Sequence, residues 1–233
     1  MRNTLGLDDD LDPVKLREAL EAAFGMRFSA AEATACGTVG DVFQVMRNRF
    51  PPPRSGAGGC ATAMAFYRVR RALPKPDVPF RLAPSTQVDA VTGIHARRWL
   101  KELGQRSGLR GPQWKATLVG QAGALLMVVG LVWLLLTALV ARHLWPTGAA
   151  ASMLGFLLIR IDPGKLPADC RTLGGLARKV AGLNFGGLHV QGAKARDQDL
   201  WAALVEVLSE YTLLPKAEIH PGTLLLQKQL CSI

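Results

Sequence analysis

The sequence predicts an all-α protein that combines small helical bundles with a transmembrane helical hairpin. Residues 118–141 contain no charged side chain. At about 1.5 Å per residue they are long enough to cross a hydrocarbon core of about 30 Å. Two other segments carry apolar side chains at helical spacing. These are Leu16, Leu20 and Phe24 near the N-terminus, and Leu200, Leu204, Leu208 and Tyr211 near the C-terminus.

Length and charge narrow the class of protein without deciding it. The chain has 233 residues and a formal net charge of +10. Such a charge suits nucleic acid, anionic lipid or an acidic protein surface, and the apolar run favours lipid. The four cysteines (Cys36, Cys60, Cys170 and Cys231) lack metal-site spacing, and no cleavable signal peptide precedes them. We therefore expect reduced cytoplasmic thiols.

The N-terminal segment carries clear helix boundaries. Asp12 before Pro13 predicts a helix start, because proline is tolerated at the first helical position and aspartate accepts free amide hydrogens. Gly25 predicts the end of that helix. Thr38 and Asp41 form a variant of the capping box and predict a short helix that follows.

A second apolar stretch, residues 147–159, follows the first after a short polar interval. Both flanks of the pair are basic. The residues before the first run are Arg97, Arg98, Lys101, Arg106, Arg110 and Lys115, and those after the second are Arg160, Lys165, Arg171, Arg178 and Lys179. The positive-inside rule places both flanks in the cytoplasm, which predicts two crossings with residues 142–148 outside. The alternative is one span followed by a buried or interfacial apolar segment, since the second stretch is short.

The remaining soluble segments contain two partial internal repeats. Residues 51–59, rich in proline and glycine, predict a linker, and residues 60–73 predict a helix. Residues 84–86 (Pro-Ser-Thr) repeat as residues 221–223 (Pro-Gly-Thr), each after an amphipathic helix. Residues 36–40 (Cys-Gly-Thr-Val-Gly) repeat as residues 170–174 (Cys-Arg-Thr-Leu-Gly). The alternative is that both patterns are ordinary capping and loop signals.

The N-terminal segment resembles the second and third helices of an acyl carrier protein. The resemblance rests on residues 5–7 (Leu-Gly-Leu), on Leu11 with the helix at 14–25, and on residues 38–42 (Thr-Val-Gly-Asp-Val). It places Asp10 at the position of the serine that receives phosphopantetheine in that family. Because Asp10 has no hydroxyl group, the resemblance implies a carrier shape without the family's prosthetic group.

The resemblance also implies a circular permutation, because the family's first helix and loop match the C-terminus of this chain. Residues 197–233 would complete the module begun by residues 1–50, and residues 51–59 would be a linker. Residues 60–116 and 160–190 would form a second carrier-like module, interrupted by the transmembrane hairpin at 117–159. The alternative is a first helix encoded upstream of residue 1.

Candidate contact sites fall into two groups. Asp8, Asp9, Asp10 and Asp12 lie where the family meets basic partner enzymes, so the resemblance implies a docking surface. They lack the spaced ligands and closing glutamate of a cation loop. We expect Arg97, Arg98, Lys101, Arg106, Arg110 and Lys115 to face anionic lipid headgroups, with Trp114 and Trp145 as interfacial anchors.

No residues indicate catalysis, a metal site or a cofactor. The four histidines are dispersed, and no cysteine or serine has an evident base nearby. Residues 184–188 (Asn-Phe-Gly-Gly-Leu) predict a glycine-containing turn that lacks the ending of a phosphate loop. The sequence therefore predicts a protein that is not an enzyme.

Together these features predict a membrane-anchored, non-catalytic, acyl-carrier-like docking or scaffold protein. Its expected location is a bacterial inner membrane with both termini cytoplasmic, and its expected partners are membrane lipids and an acyl- or lipid-modifying enzyme. One alternative is an active acyl carrier or a component of an acyl-transfer complex. A second is a basic membrane-surface adaptor for nucleic acid, which we do not expect. Partner, pathway and oligomeric state stay open.

Overall fold

The computed structural model describes residues 4–7, 12–51, 58–73, 82–89, 96–140, 145–212 and 214–226, and it is mostly helical. The helices are α1 (Asp12–Phe24), α2 (Ala30–Ala35), α3 (Val39–Arg49), α4 (Ala61–Ala72), α5 (Ala96–Ser107), α6 (Leu118–Val140), α7 (Trp145–Ile161), α8 (Leu173–Leu183), α9 (Phe185–Val190) and α10 (Asp197–Tyr211). The predicted helical class is confirmed. Two short strands, β1 (Thr4–Leu7) and β2 (Leu224–Leu226), add a small parallel sheet.

Most helix boundaries follow the local sequence signals. Gly25 has a φ of 64° directly after α1, as a left-handed helix end requires. Thr38 and Asp41 form the predicted capping box at the start of α3. One expectation is wrong in detail. Residues 185–188 begin the short helix α9 instead of forming a turn, because the surrounding core buries Phe185.

The N- and C-terminal segments meet in the small sheet. Thr4 pairs with Leu224 and Leu7 with Leu226. The Thr212 hydroxyl, just after α10, donates a hydrogen bond of 2.9 Å to the carbonyl oxygen of Leu5. Helix α10 also packs against α1 and α3. The two ends of the chain therefore build one part of the body together.

The start of α3 is bonded to the loop that precedes β2. Three backbone hydrogen bonds join them, from Val39 N–H to the Thr223 oxygen (2.9 Å), from Gly40 N–H to the Pro221 oxygen (2.8 Å) and from Leu225 N–H to the Gly37 oxygen (3.1 Å). A Cβ atom on Gly40 would lie 2.8 Å from the Pro221 oxygen, so only glycine permits this approach. We call this connection the first joint.

The start of α8 is bonded in the same way to the loop after α4. The three bonds run from Leu173 N–H to the Thr86 oxygen (2.9 Å), from Gly174 N–H to the Pro84 oxygen (2.8 Å) and from Val88 N–H to the Arg171 oxygen (2.8 Å). A Cβ atom on Gly174 would lie 3.0 Å from the Pro84 oxygen. This second joint matches the first bond for bond, in the order of the two sequence repeats.

The helices of the two joints share a single hydrophobic core. Buried side chains of α1, α3, α4, α5, α8 and α10 belong to one continuous cluster. Near its centre, the Phe24 and Phe185 rings lie 5.6 Å apart and the Phe50 and Phe185 rings 5.9 Å apart. The helices of each joint therefore depend on those of the other for part of their burial.

Helices α6 and α7 form an antiparallel hairpin with glycines along the seam. Gly123 and Gly130 of α6 face Gly155 and Gly148 of α7. A Cβ atom on Gly155 would lie 2.5 Å from the Met127 nitrogen, and one on Gly148 would lie 2.7 Å from the Leu134 nitrogen. The two backbones are in direct contact because these positions carry no side chain.

Candidate functional site

The outer faces of the hairpin are apolar and exposed. Leu118 is 80% exposed, Leu125 67% and Met153 65%, although water penalises such exposure. Contiguous apolar surface of this kind marks a membrane or protein contact. Within the described residues, α6 alone meets the length and composition needed to cross a membrane, over residues 118–137 at a mean hydropathy of 2.2. Helix α7 is apolar but has 17 residues.

The base of the hairpin is closed by backbone pairing. Lys115 N–H donates to the Lys165 oxygen at 2.9 Å, and Lys165 N–H donates to the Lys115 oxygen at 2.8 Å. The chain therefore enters α6 and leaves α7 at the same place. The side chains of both lysines are exposed at this base.

Asp162 fastens the base from inside. Its Oδ1 accepts a hydrogen bond of 2.6 Å from the Thr117 hydroxyl, and its Oδ2 accepts one of 3.2 Å from the Thr117 amide. The Gly164 amide also donates to Oδ1. Burial raises the pKa of Asp162, but these hydrogen bonds and the charge of Arg97 outweigh burial and leave the pKa below its ordinary value. We call the Lys115–Lys165 pair and the Thr117–Asp162 pair the clasp.

One aromatic contact ties the clasp to the helical body. The Arg97 guanidinium of α5 lies 4.9 Å from the ring centroid of Trp114, within the range of a cation–π contact. Arg97 N–H also donates to the Pro163 oxygen at 3.1 Å. A Cβ atom on Gly164 would lie 3.0 Å from the Trp114 ring, so the indole packs on the glycine. Trp114 is therefore half-buried between the body and the hairpin.

The six basic residues that the sequence groups as facing lipid have different neighbours in the structure. Arg97 and Lys115 lie at the clasp, and Lys101 is exposed on α5. Arg98 and Arg106 approach Glu102, with N–O distances of 3.1 Å and 4.0 Å. The backbone amide of Arg110 donates to Asn184 Oδ1 at 2.8 Å. The six residues therefore differ in their contacts, and their contact with lipid headgroups stays a prediction.

Lys179, which the sequence groups with the basic flank after the hairpin, is buried and does not face lipid. Its Nζ lies 3.6 Å from Glu206 Oε2 and 3.6 Å from Glu210 Oε1, and it donates to the Ser209 hydroxyl at 2.8 Å. The Nζ of Lys216 lies 2.6 Å from the same Glu206 oxygen. This charge cluster joins α8 to α10, and its five groups include Asp169, 2.7 Å from Lys216.

The charge cluster contains side chains that also occur in catalytic sites. Its short Ser209–Lys179 contact brings a hydroxyl to an amine, as in a Ser–Lys nucleophile pair. Unlike the lysine of such a pair, Lys179 is in ion-pair contact with two carboxylates, Glu206 and Glu210. The buried thiol of Cys170, with its pKa raised to about 12 mainly by burial, is also inert at neutral pH. The cluster is best suited to holding the two helices together.

The predicted docking acids lie mostly outside the described residues. This holds for Asp8, Asp9 and Asp10, and for the side chain of Asp12, whose backbone begins α1. The segment just after Asp12 lines an apolar pocket of about 190 Å³ between α1 and α3. Leu16, Leu20 and Val42 form part of its wall, and Cys36 lies at the same pocket. Burial raises the pKa of the Cys36 thiol, so it is mainly protonated at neutral pH.

Two features of the site are not among the sequence predictions. For the first, the glycine seam, a signal was present, because Gly123 and Gly130, and Gly148 and Gly155, are each seven residues apart. Lys179 gave no such signal, because a lysine beside Arg178 has the pattern of a solvated flank. Among the described residues no cluster of three metal-ligating side chains occurs.

The comparisons with known proteins return no relative. No family model, no curated protein and no solved structure matches this chain.

Proposed function

We propose that this chain is a membrane-anchored, non-catalytic docking or scaffold protein. In this proposal α6 and α7 hold a carrier-like helical body at the cytoplasmic face of a bacterial inner membrane. The body presents Asp8, Asp9, Asp10 and Asp12 to a basic surface on an acyl- or lipid-modifying enzyme.

The observation that carries the anchoring is the inverted packing of the hairpin. Its small residues are buried at the seam and its large apolar residues point outward. A soluble protein would pay a large hydration cost for that surface, whereas lipid tails remove the cost. Because α7 packs along α6 and both end at the clasp, we propose that both helices lie in the bilayer.

Two matched joints support the carrier-like interpretation of the body. Each joint fixes the start of a helix to a Pro-x-Thr loop through three equivalent hydrogen bonds. In each, the loop follows a longer helix, α10 in the first joint and α4 in the second. This is the order of parts that the resemblance implies after a circular permutation. We therefore propose two carrier-like modules that share a core.

A pull-down experiment tests the docking role. In this experiment a defined basic probe takes the place of the natural partner. The full chain in detergent is passed over a resin that carries a lysine-rich peptide, because such a peptide mimics a basic enzyme surface. A variant with Asp8, Asp9, Asp10 and Asp12 changed to asparagine should lose retention at low salt. The matched control changes Glu18 and Glu102, two acids elsewhere, to glutamine. Equal retention of both variants would contradict the docking role.

An active acyl carrier is the second candidate, and the apolar pocket of α1 and α3 favours it because an acyl chain needs apolar lining. The two candidates differ in one mass measurement. Incubation with coenzyme A and a broad phosphopantetheinyl transferase should leave the intact mass unchanged if the chain is a scaffold. A gain of one phosphopantetheine group would instead establish the carrier.

A further inference from the structure

A cavity of about 310 Å³ lies between the helical body and the segment that leads into the hairpin. Ala19 and Ala23 of α1 and Leu183 of α8 form its apolar floor. The alanines follow one another by one helical turn, so a strip of α1 without bulky side chains leaves the space open. The volume falls in the lower part of the range of about 300–1,000 Å³ typical of small-molecule sites.

Four polar side chains line the same cavity. Arg110 and Gln113 belong to the segment between α5 and α6, and Glu210 and Tyr211 end α10. Asn184 holds the backbone of Arg110 on both sides. Its Oδ1 accepts from the Arg110 amide at 2.8 Å, and its Nδ2 donates to the Arg110 oxygen at 2.9 Å. The Arg110 backbone is therefore fixed, while its side chain stays exposed at the cavity.

Glu210 supplies the opposite charge at greater depth. Its side chain is 10% exposed, and its Oε1 lies 3.6 Å from Lys179 Nζ. Burial raises the pKa of Glu210, while the charge of Lys179 and a hydrogen bond from the backbone amide of Gln113 oppose that rise. Burial of the Tyr211 phenol, then the charge of Glu210, raises the Tyr211 pKa, against the opposing charge of Arg110. Tyr211 therefore stays protonated at neutral pH and has a proton to donate.

We propose that this cavity binds a small zwitterion that carries a phosphate ester and a primary amine. The Arg110 guanidinium and the Tyr211 hydroxyl would donate to the phosphate, and the Glu210 carboxylate would accept from the ammonium group. The alanine floor would hold the short methylene link. Because Glu210 keeps Lys179 as an ion-pair partner, it would select the ligand through the hydrogen bond that it accepts from the ammonium group, and Arg110 through those that it donates to the phosphate.

This chemistry has two sources, a free phosphoethanolamine and the headgroup of an ethanolamine phospholipid. Arg110 lies four residues before Trp114 at the clasp, which places the cavity near the proposed membrane surface. The site uses none of the acidic docking residues, and free ligand in detergent tests it without any membrane. The proposed ligand site can therefore be wrong while the proposed function is right, and the reverse.

The test is isothermal titration of the full chain in detergent with phosphoethanolamine. Changing Ala19 to leucine fills the cavity and should abolish binding. Changing Arg110 to glutamine should weaken it about tenfold or more, the loss expected for one charge-assisted hydrogen bond. The matched control changes Lys101 to glutamine, which removes an exposed charge outside the cavity and should leave binding unchanged.

Further measurements distinguish the two sources of the ligand and include the results that would overturn the proposal. Competition by ethanolamine-phospholipid nanodiscs, but not by phosphatidylglycerol nanodiscs, would assign the site to a lipid headgroup, and its absence would assign it to the free compound. No binding of phosphoethanolamine, or equal binding by the Ala19→Leu variant, would overturn the proposal. Equal affinity for inorganic phosphate or ethanolamine alone would overturn the zwitterion.

Discussion

The hairpin and the helical body solve the same packing problem in opposite ways. In the body Leu204 is fully buried at 0% exposure, and glycines such as Gly40 and Gly174 serve local joints. In the hairpin Leu131 is 53% exposed, and glycines lie along the seam between the two helices. The proposed membrane location of the hairpin accounts for this difference. Water drives large apolar side chains together, whereas in lipid only close backbone contact and hydrogen bonds bring helices together.

The largest effect should come from the charge cluster of the body. Changing Lys179 to methionine removes the cation from the buried Glu210 and leaves Glu206 with Lys216 alone, and we expect a loss of about 3–5 kcal/mol in the free energy of unfolding. Denaturant unfolding of the purified chain measures it. The matched control changes Lys15, an exposed lysine of α1, to methionine and should have little effect. A small loss for the Lys179 variant would mean that the cluster is solvated.

The same leucine deletion should give different results in the two regions. Changing Leu204 to alanine should cost about 2–5 kcal/mol of unfolding free energy, because it leaves a cavity in the body. Changing Leu131 to alanine should hardly alter the free energy of unfolding in detergent, since its exposed side chain would contact detergent and not protein. Guanidinium titrations of both variants make the comparison. Equal losses would show that α6 is packed within protein.

Glycine substitution should affect the hairpin more than the body, which is the reverse of the leucine result. Changing Gly155 to alanine places a Cβ atom against the α6 backbone, and we expect a loss of about 1–3 kcal/mol in hairpin stability from overpacking. Resistance to unfolding by sodium dodecyl sulfate measures it. Gly187 of α9 is the control, because a Cβ atom there meets nothing within 4 Å. If both variants behave alike, the seam is not a close contact.

The smallest effect should be the acid sensitivity of the clasp. Asp162 has a folded pKa below its ordinary value of 3.8, so its contribution is present above that value and is lost as the pH falls through the folded pKa. The Thr117 amide shift, followed by NMR from about pH 6 to about pH 2, should move along this transition. In the Asp162→Asn variant the shift should not titrate. A transition above the ordinary value would mean that burial outweighs the hydrogen bonds.

The features that the sequence predicted are those set by near neighbours. The Thr38–Asp41 capping box and the left-handed Gly25 depend on a few adjacent residues, so their pattern is sufficient. The apolar length of α6 is equally local. The four chain segments that meet in the two joints are also the segments that the sequence repeats mark. By contrast, Phe185 lies in a glycine-rich stretch whose helix is set by core contacts far along the chain.

The site was less predictable because its partners are distant in sequence. Glu206 and Glu210 lie 27 and 31 residues from Lys179, and no pattern links them. The clasp pairs Thr117 with Asp162 across the whole hairpin. Arg110 is bonded through its backbone amide to Asn184, which is 74 residues away in the sequence. In each case a tertiary contact decides between a solvated charge and a structural one.

The most direct test of the account is the side of the membrane on which each end of the hairpin lies. Single cysteines replace Lys101, His143 and Arg178 in an otherwise cysteine-free chain, and intact cells are treated with a membrane-impermeant maleimide. The account predicts labelling at residue 143 from outside, and labelling at residues 101 and 178 only after the membrane is opened. Labelling of residue 178 but not residue 101 in intact cells would mean a single crossing and would contradict the hairpin anchor.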